Sequence, residues 1–315
     1  MQHARWREAE QELSAAIERD PHDARALRLL GTLCHVTKRR HEAVTWLEQA
    51  LALEPSNIST LLNLGGVYLE AERYGDAEQC FAQVIEIEPA SVDGHFNLGL
   101  AMQHAGRLEE AEQHYTSALE RDPQALHAAV NLAAVHLQQG HHEACITKAE
   151  QILLRDATHL QARILLLKAL LAMDRLTDAD HALQQTPVAT AEHRELRACE
   201  GRIHLLKGRL EKATLALQRA RELGDTSTQT GLGLTRCLLD AGDASGAIEL
   251  LNTIIEQEPM IADHHSLLGL ALHRAGRVEA ALAAVEQALR IQPASAHFVT
   301  AKASLLFELE RNEQA

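Results

Sequence analysis

Ile58–Ser91 reads ISTLLNLGGVYLEAERYGDAEQCFAQVIEIEPAS, and the next 34 residues, Val92–Ala125, read VDGHFNLGLAMQHAGRLEEAEQHYTSALERDPQA. Laid over each other without a gap, they match Leu64-Gly65 to Leu98-Gly99, Ala77 to Ala111 and Pro89 to Pro123. The stretch beginning at Ala24 supplies Leu30-Gly31, Ala43 and Pro55 in the same places. A fixed period of this length marks a stacked repeat and outranks any single-residue motif. Numbering each repeat 1–34 from Ala24 extends the register to the end of the chain. Position 20 continues as Ala179, Ala213, Ala247 and Ala281, with Cys145 in one slot. Proline at position 32 returns as Pro259 and Pro293, and glycine at position 15 as Gly106, Gly140, Gly208, Gly242 and Gly276.

Each half of a repeat carries apolar residues at i, i+3, i+4 and i+7, the spacing of an amphipathic helix. In the eighth repeat the first half shows Leu267, Leu268, Ala271 and Leu272, and the second Val278, Ala281, Leu282, Val285 and Leu289. Helices of about 13 residues are marginal alone in water, so packing against neighbours must hold them. Small residues at positions 8 and 20 let paired helices approach closely. Glycine at position 15 suits the left-handed residue that ends a helix, and proline at position 32 closes the repeat because it cannot continue one.

These residues resemble the tetratricopeptide repeat family. Its pattern appears in the second repeat as Leu61, Leu64-Gly65, Tyr68, Ala77, Phe81 and Pro89, and in the third as His95, Leu98-Gly99, Met102, Ala111, Tyr115, Ala118 and Pro123. The resemblance implies an all-α fold, a right-handed α-solenoid (superhelix) of helix-turn-helix repeats. The expected layout is a partial repeat over 1–23 (a second helix), repeats one to five over 24–193, repeats six to eight over 194–295 and a partial repeat over 296–315. Met1 falls at position 12 and Ala315 at position 20, just inside a second helix, so the chain is expected to be part of a longer protein with apolar faces open at both ends. Repeats four to seven drift from the pattern. Ala133, Cys145 and Ala157 replace the usual Gly, Ala and Pro; Leu167 replaces Gly; and Pro187 falls four residues early. That proline should shorten the second helix of repeat five by about a turn and leave Val188–Ala191 a looser connection, making 185–191 the expected hinge.

Apolar residues make up 46% of the chain and aromatics 3%, so the core is one of Leu, Ala, Ile and Val. A net charge of −14 argues against nucleic-acid and anionic-membrane surfaces, which need a basic footprint. No apolar run reaches the length of a membrane span, and the start MQHARW has no signal-peptide core. Five scattered cysteines without a CxxC read as small core residues of a reducing compartment; a cytoplasmic location is expected. The histidines near Cys145 (His136, His141, His142) fit no zinc spacing, and no phosphate loop, nucleophile elbow or HExxH occurs. No catalytic residue, cofactor or metal is expected.

In the family the resemblance names, first helices line a concave groove. Two rows fall on that side. Asn63, Asn97 and Asn131 stand at position 6, each offering a donor and an acceptor to an extended peptide backbone; this is similar to the asparagine ladder of O-linked N-acetylglucosamine transferases. Lys168, Arg202 and Arg236 stand at position 9 and suggest an acidic segment or carboxylate as ligand. The carboxylate clamp of chaperone co-factors does not transfer, because it wants Lys at position 2, where this chain has Ser59, Asp93 and His127. Asp93 and His127 join the candidate peptide-binding set. Arginines at position 16 (Arg39, Arg73, Arg107, Arg175, Arg209, Arg277) read as solvated turn residues. The expected function is a non-catalytic scaffold that binds an extended peptide or partner protein. Two alternatives stand beside it: the substrate-recruiting arm of a larger enzyme (a sulfotransferase, glycosyltransferase or 2-oxoglutarate oxygenase), and a homo-oligomer joined through the open ends.

Overall fold

The computed structural model describes residues 2–314, with side chains at 5–187 and 190–310. The described residues are all helix, turn and connection, without a strand. They divide into two compact units, Met1–Asp156 and Ala157–Ala315. The division falls where Ala157 stands in a proline position, not in 185–191.

Unit 1 holds α1 (Gln2–Arg19), α2 (Ala24–Val36), α3 (Arg40–Leu53), α4 (Ile58–Glu70), α5 (Tyr74–Ile87), α6 (Val92–His104), α7 (Leu108–Arg121), α8 (Leu126–Gln138) and α9 (His142–Arg155). Unit 2 holds α10 (Leu160–Ala172), α11 (Leu176–Gln184), α12 (Val188–Ala191), α13 (Arg194–Leu206), α14 (Leu210–Glu222), α15 (Thr228–Asp240), α16 (Ala244–Gln257), α17 (Ala262–Arg274), α18 (Val278–Ile291) and α19 (Ala296–Gln314). First helices begin every 34 residues from Ala24 to Ala296. Those of the eight complete repeats pack on the second helix of their own repeat, and within a unit each first helix packs on the second helix before it. The fold is an all-α helical-repeat solenoid.

Local chemistry sets the helix boundaries. Asp23, Asn57, Ser91 and Ser227 cap first helices by accepting from the backbone N–H three residues on. Position 15 is left-handed in all eight complete repeats. Glycine takes it in five, from Gly106 (φ 77°) to Gly276 (φ 74°), and Lys38 (φ 64°), Glu72 (φ 59°) and Asp174 (φ 56°) take it in the others. That backbone costs a side chain roughly 1–2 kcal/mol, against roughly 0.5–1 for the extra freedom of unfolded glycine. Glu72→Gly is therefore expected to stabilise unit 1 by about 0.5–1 kcal/mol in denaturant unfolding; a loss of stability would contradict this account of the turn.

Close approach occurs at position 8. A Cβ built on Gly65 would lie 2.5 Å from the Phe81 ring, and one on Gly201 2.4 Å from Leu217 Cγ. Tyr115, Phe81, Leu47 and Leu61 are fully buried in a continuous unit 1 core. Unit 2 builds its core from smaller groups around Leu217, Leu251 and Val285.

Three expectations are corrected. Val188–Ala191 is a single helical turn, α12, rather than a looser connection; α11 before it is shortened to 9 residues, as Pro187 demands. Residues 296–314 form one uninterrupted helix rather than a first helix, a turn and the start of a second; Glu310 stands at position 15, where the other repeats end the helix with a left-handed residue. Three of the six position-16 arginines are not merely solvated. Arg39 reaches back to Glu10 (2.6 Å), Arg107 to Glu78 (2.7 Å) and Arg209 to Asp180 (3.1 Å), always the acid at position 21 of the preceding repeat. Most of these pairs are exposed and individually worth little. Asp180 is buried, and hydrogen bonding from Lys207, then Arg209, holds its carboxyl below the usual range.

Where repeat four lacks its proline, a buried arginine ties the turn. Arg163 donates to the Ala157 carbonyl (3.2 Å) and the Ala182 carbonyl at the end of α11 (3.3 Å). His95 and His265, also at position 4, lie at 3.3 and 2.8 Å from the carbonyls of Pro89 and Pro259. Position 4 thus repeatedly tethers the start of a repeat to the turn that precedes it.

Candidate binding groove

Unit 2 contains a groove of about 570 Å³ along the first helices of repeats five, six and seven. Its apolar wall is Leu171, Leu205, Leu206 and Leu217, and its basic groups are Lys168, Arg194 and Arg202. Helical spacing explains the mixture: position 9 of α10 and α13 carries Lys168 and Arg202, while position 12 of both helices and position 13 of α13 carry leucines on the same side. Lys168 pairs with Glu195 at 2.5 Å. Arg194 makes one long contact, 3.5 Å, to the Gly224 carbonyl. Arg202 is half-buried and has no ion pair among the described residues. Asp225 is also in the lining; burial alone would raise its carboxyl, but hydrogen bonds from Thr230 and Ser227 hold it below the usual range. Cys199 is among the lining residues, and burial pushes its thiol up to about 11. The lining thus combines a neutral thiol, a leucine wall, three basic groups and the acids Glu195 and Asp225.

The predicted residues gather only in part. Lys168 and Arg202 share this groove. Arg236, at the same position of α15, is exposed and not part of the lining. Arg194 was not foreseen, though position 1 gave a signal: it holds Ala, Ile, Val, Leu or Thr in the other repeats and arginine only there.

In unit 1 the three asparagines are all half-buried but have different partners. Asn63 Nδ2 donates to Thr32 Oγ1 of the preceding repeat (2.9 Å), Asn97 Nδ2 to its own helix at the Asp93 carbonyl (2.8 Å), and Asn131 Nδ2 to the Tyr115 hydroxyl (3.3 Å). Tyr115 donates in turn to Gln103 Oε1 (2.8 Å), and burial raises its phenol above its ordinary range. Asp93 and His127 are exposed, with the His127 ring 6.3 Å from Phe96. One amide donor of each asparagine is therefore engaged within the chain.

A second groove of about 490 Å³ lies between α17 and α19, walled by Leu267, Leu270, Phe298, Ala301 and Leu305, with the His273–Glu308 pair (2.7 Å) among its lining residues. All five cysteines are free and buried. Among the described residues no group of three or more His, Cys, Asp or Glu could hold a metal ion, and no helix is long and apolar enough to cross a membrane. His136 instead meets Glu112 at 3.3 Å.

Stacked helix pairs of fixed period with an open groove along the first helices define a helical-repeat solenoid protein. The model of the tetratricopeptide repeat family matches residues 1–58, 62–125, 103–159 and 236–296, well over half of the sequence. The chain belongs to the tetratricopeptide repeat family. The longest unmatched stretch, 160–235, covers the two repeats that carry Ala191 and Asp225 in place of proline, and it carries the groove with Lys168, Arg194 and Arg202. No curated protein matches the sequence. Among solved structures, the chain is similar to one in the crystal structure of the APC/C hetero-tetramer Cut9-Hcn1, at 17% identity and TM-score 0.63, covering 95% of this chain and 59% of that one. It is also similar to a tetratricopeptide repeat protein from Parabacteroides merdae, at 18% identity and TM-score 0.57, covering 75% of this chain and 94% of that one. These likenesses are of fold. The chain spans under two thirds of the length of the first.

Proposed function

We propose that the chain is a non-catalytic protein-interaction scaffold, and that the unit 2 groove holds an extended partner segment presenting a carboxylate next to an apolar side chain. The observation that carries this reading is the convergence of Lys168, Arg194 and Arg202 on a leucine-walled groove in which Arg202 has no acidic partner. A chain of net charge −14 has no general attraction for acidic ligands, so selectivity must come from this local patch. In unit 1 the free hydrogen-bonding capacity of Asn63, Asn97 and Asn131, flanked by Asp93 and His127, suits a peptide backbone rather than particular side chains. Arg236 lies outside the groove and would extend the contact only for a longer segment.

Selection from a random peptide display library tests the reading. The chain is expected to enrich segments with Asp or Glu beside Leu, Ile or Phe, and Arg194→Glu with Arg202→Glu should abolish that enrichment while leaving the helical circular dichroism unchanged. Enrichment of basic peptides, or an enrichment indifferent to both substitutions, would refute it.

A further inference from the structure

Position 6 of the first helix carries a large residue in six of the eight complete repeats: Leu29, Asn63, Asn97, Asn131, Leu165 and Leu267. The other two are Cys199 on α13 and Gly233 on α15, and both line the unit 2 groove. Gly233 stands inside a helix, where glycine is costly relative to alanine. Its backbone is not left-handed, so no turn requires it. Close packing does not demand it either. A Cβ built on Gly65, Gly201 or Gly231 would lie 2.5, 2.4 or 2.9 Å from a packed side chain. One on Gly233 would first meet Leu217 Cδ1, the far end of a side chain, at 3.3 Å, and then Leu205 Cδ2 at 3.7 Å. What the missing side chain does is open the groove. The space it leaves is bounded by Leu205 and Leu217, both groove residues. Leu206, also in the lining, is 49% exposed.

We propose that Gly233 and Cys199 open a recess in the groove for one large apolar side chain of the acidic partner segment, and that Gly233 sets the size of side chain admitted. This inference rests on the acidic-segment reading of the groove and adds where the apolar side chain goes. The lining supplies two kinds of contact. Lys168, Arg194 and Arg202 can hold a carboxylate but do not measure the residue beside it. Leu205, Leu217 and the Cys199 thiol can measure it, because a side chain entering between them gains in proportion to the apolar area it covers. Leu217 is 2% exposed and Cys199 6%, so these walls belong to a close-packed interior that yields little to a side chain of the wrong size. An apolar occupant would also cover the exposed part of Leu206. Filling position 6 from the protein side should therefore remove the preference for a large residue in the partner without touching the basic groups.

Anisotropy titrations of the full chain at low salt test it, using labelled peptides in which aspartate alternates with alanine, valine, leucine or phenylalanine. The wild type is expected to bind the leucine peptide at least about tenfold more tightly than the alanine peptide. Gly233→Leu should lower the leucine peptide to the affinity of the alanine peptide, and Gly233→Ala should fall between. The fold admits leucine at position 6, as Leu29, Leu165 and Leu267 show, and circular dichroism checks that both variants keep their helicity. A leucine preference that survives in Gly233→Leu overturns the proposal. So does a wild type that binds all the peptides alike. Arg202→Glu separates this failure from that of the broader reading. If it weakens every peptide while the wild type shows no size preference, the recess alone is refuted. If it weakens none, the acidic-segment reading is refuted and the recess with it.

Discussion

Phe81→Ala is expected to lower the unfolding free energy of unit 1 by about 3–5 kcal/mol. The ring is 0% exposed, belongs to the continuous core of unit 1, and lies over Gly65 so closely that no side chain fits between. Removing it leaves a void that a glycine cannot fill from the other side. The size of the loss separates burial from mere hydrophobicity, because Leu154 in the same unit is 87% exposed and Leu154→Ala should change stability by no more than about 0.5 kcal/mol. Guanidinium unfolding of both variants checks the pair. A Phe81→Ala loss of less than about 1 kcal/mol would mean that the helix-pair interface contributes little to unit 1.

The second large effect is a coupling. Leu217→Ala in unit 2 should cost about 2–5 kcal/mol, since Leu217 is 2% exposed and packs on Gly201. Gly201→Ala should cost about 1–3 kcal/mol through overpacking, offset by up to about 1 kcal/mol of helix propensity. The double variant is expected to lose clearly less than the sum, with an interaction of about 1 kcal/mol or more. Repeat four shows why: it carries Ala133 opposite Ala149, both 0% exposed, so an alanine pair fills the space that a glycine and a large residue fill elsewhere. Strict additivity of the two substitutions would contradict the exchange of size across the helix pair.

The sequence made much of this fold legible because its determinants recur. The proline, glycine and alanine columns gave the helix starts, the left-handed turn and the close contacts, and Pro187 gave the short α11. What stayed hidden depends on pairs rather than columns. The arginines at position 16 and the acids at position 21 of the repeat before recur 29 residues apart (Glu10 and Arg39, Glu78 and Arg107, Asp180 and Arg209), but only the stacked geometry makes that spacing a contact. The three asparagines looked equivalent in sequence and are not, because Thr32, the Asp93 carbonyl and Tyr115 compete for them differently. The basic groove was half visible. Lys168 and Arg202 follow from periodicity, whereas Arg194 breaks an otherwise uncharged column and Arg236 turns out to lie beyond the lining.

The most direct test of the central claim is a fluorescence-anisotropy titration of a labelled peptide of alternating aspartate and leucine, with the wild-type chain and with Arg202→Glu, at low and at physiological salt. A charge-assisted hydrogen bond is worth about 1.5–3 kcal/mol, so the variant should bind at least about tenfold more weakly, and the wild-type affinity should fall as salt rises. Equal binding by the two proteins, or tighter wild-type binding of a lysine–leucine peptide, would contradict an acidic-segment groove in unit 2.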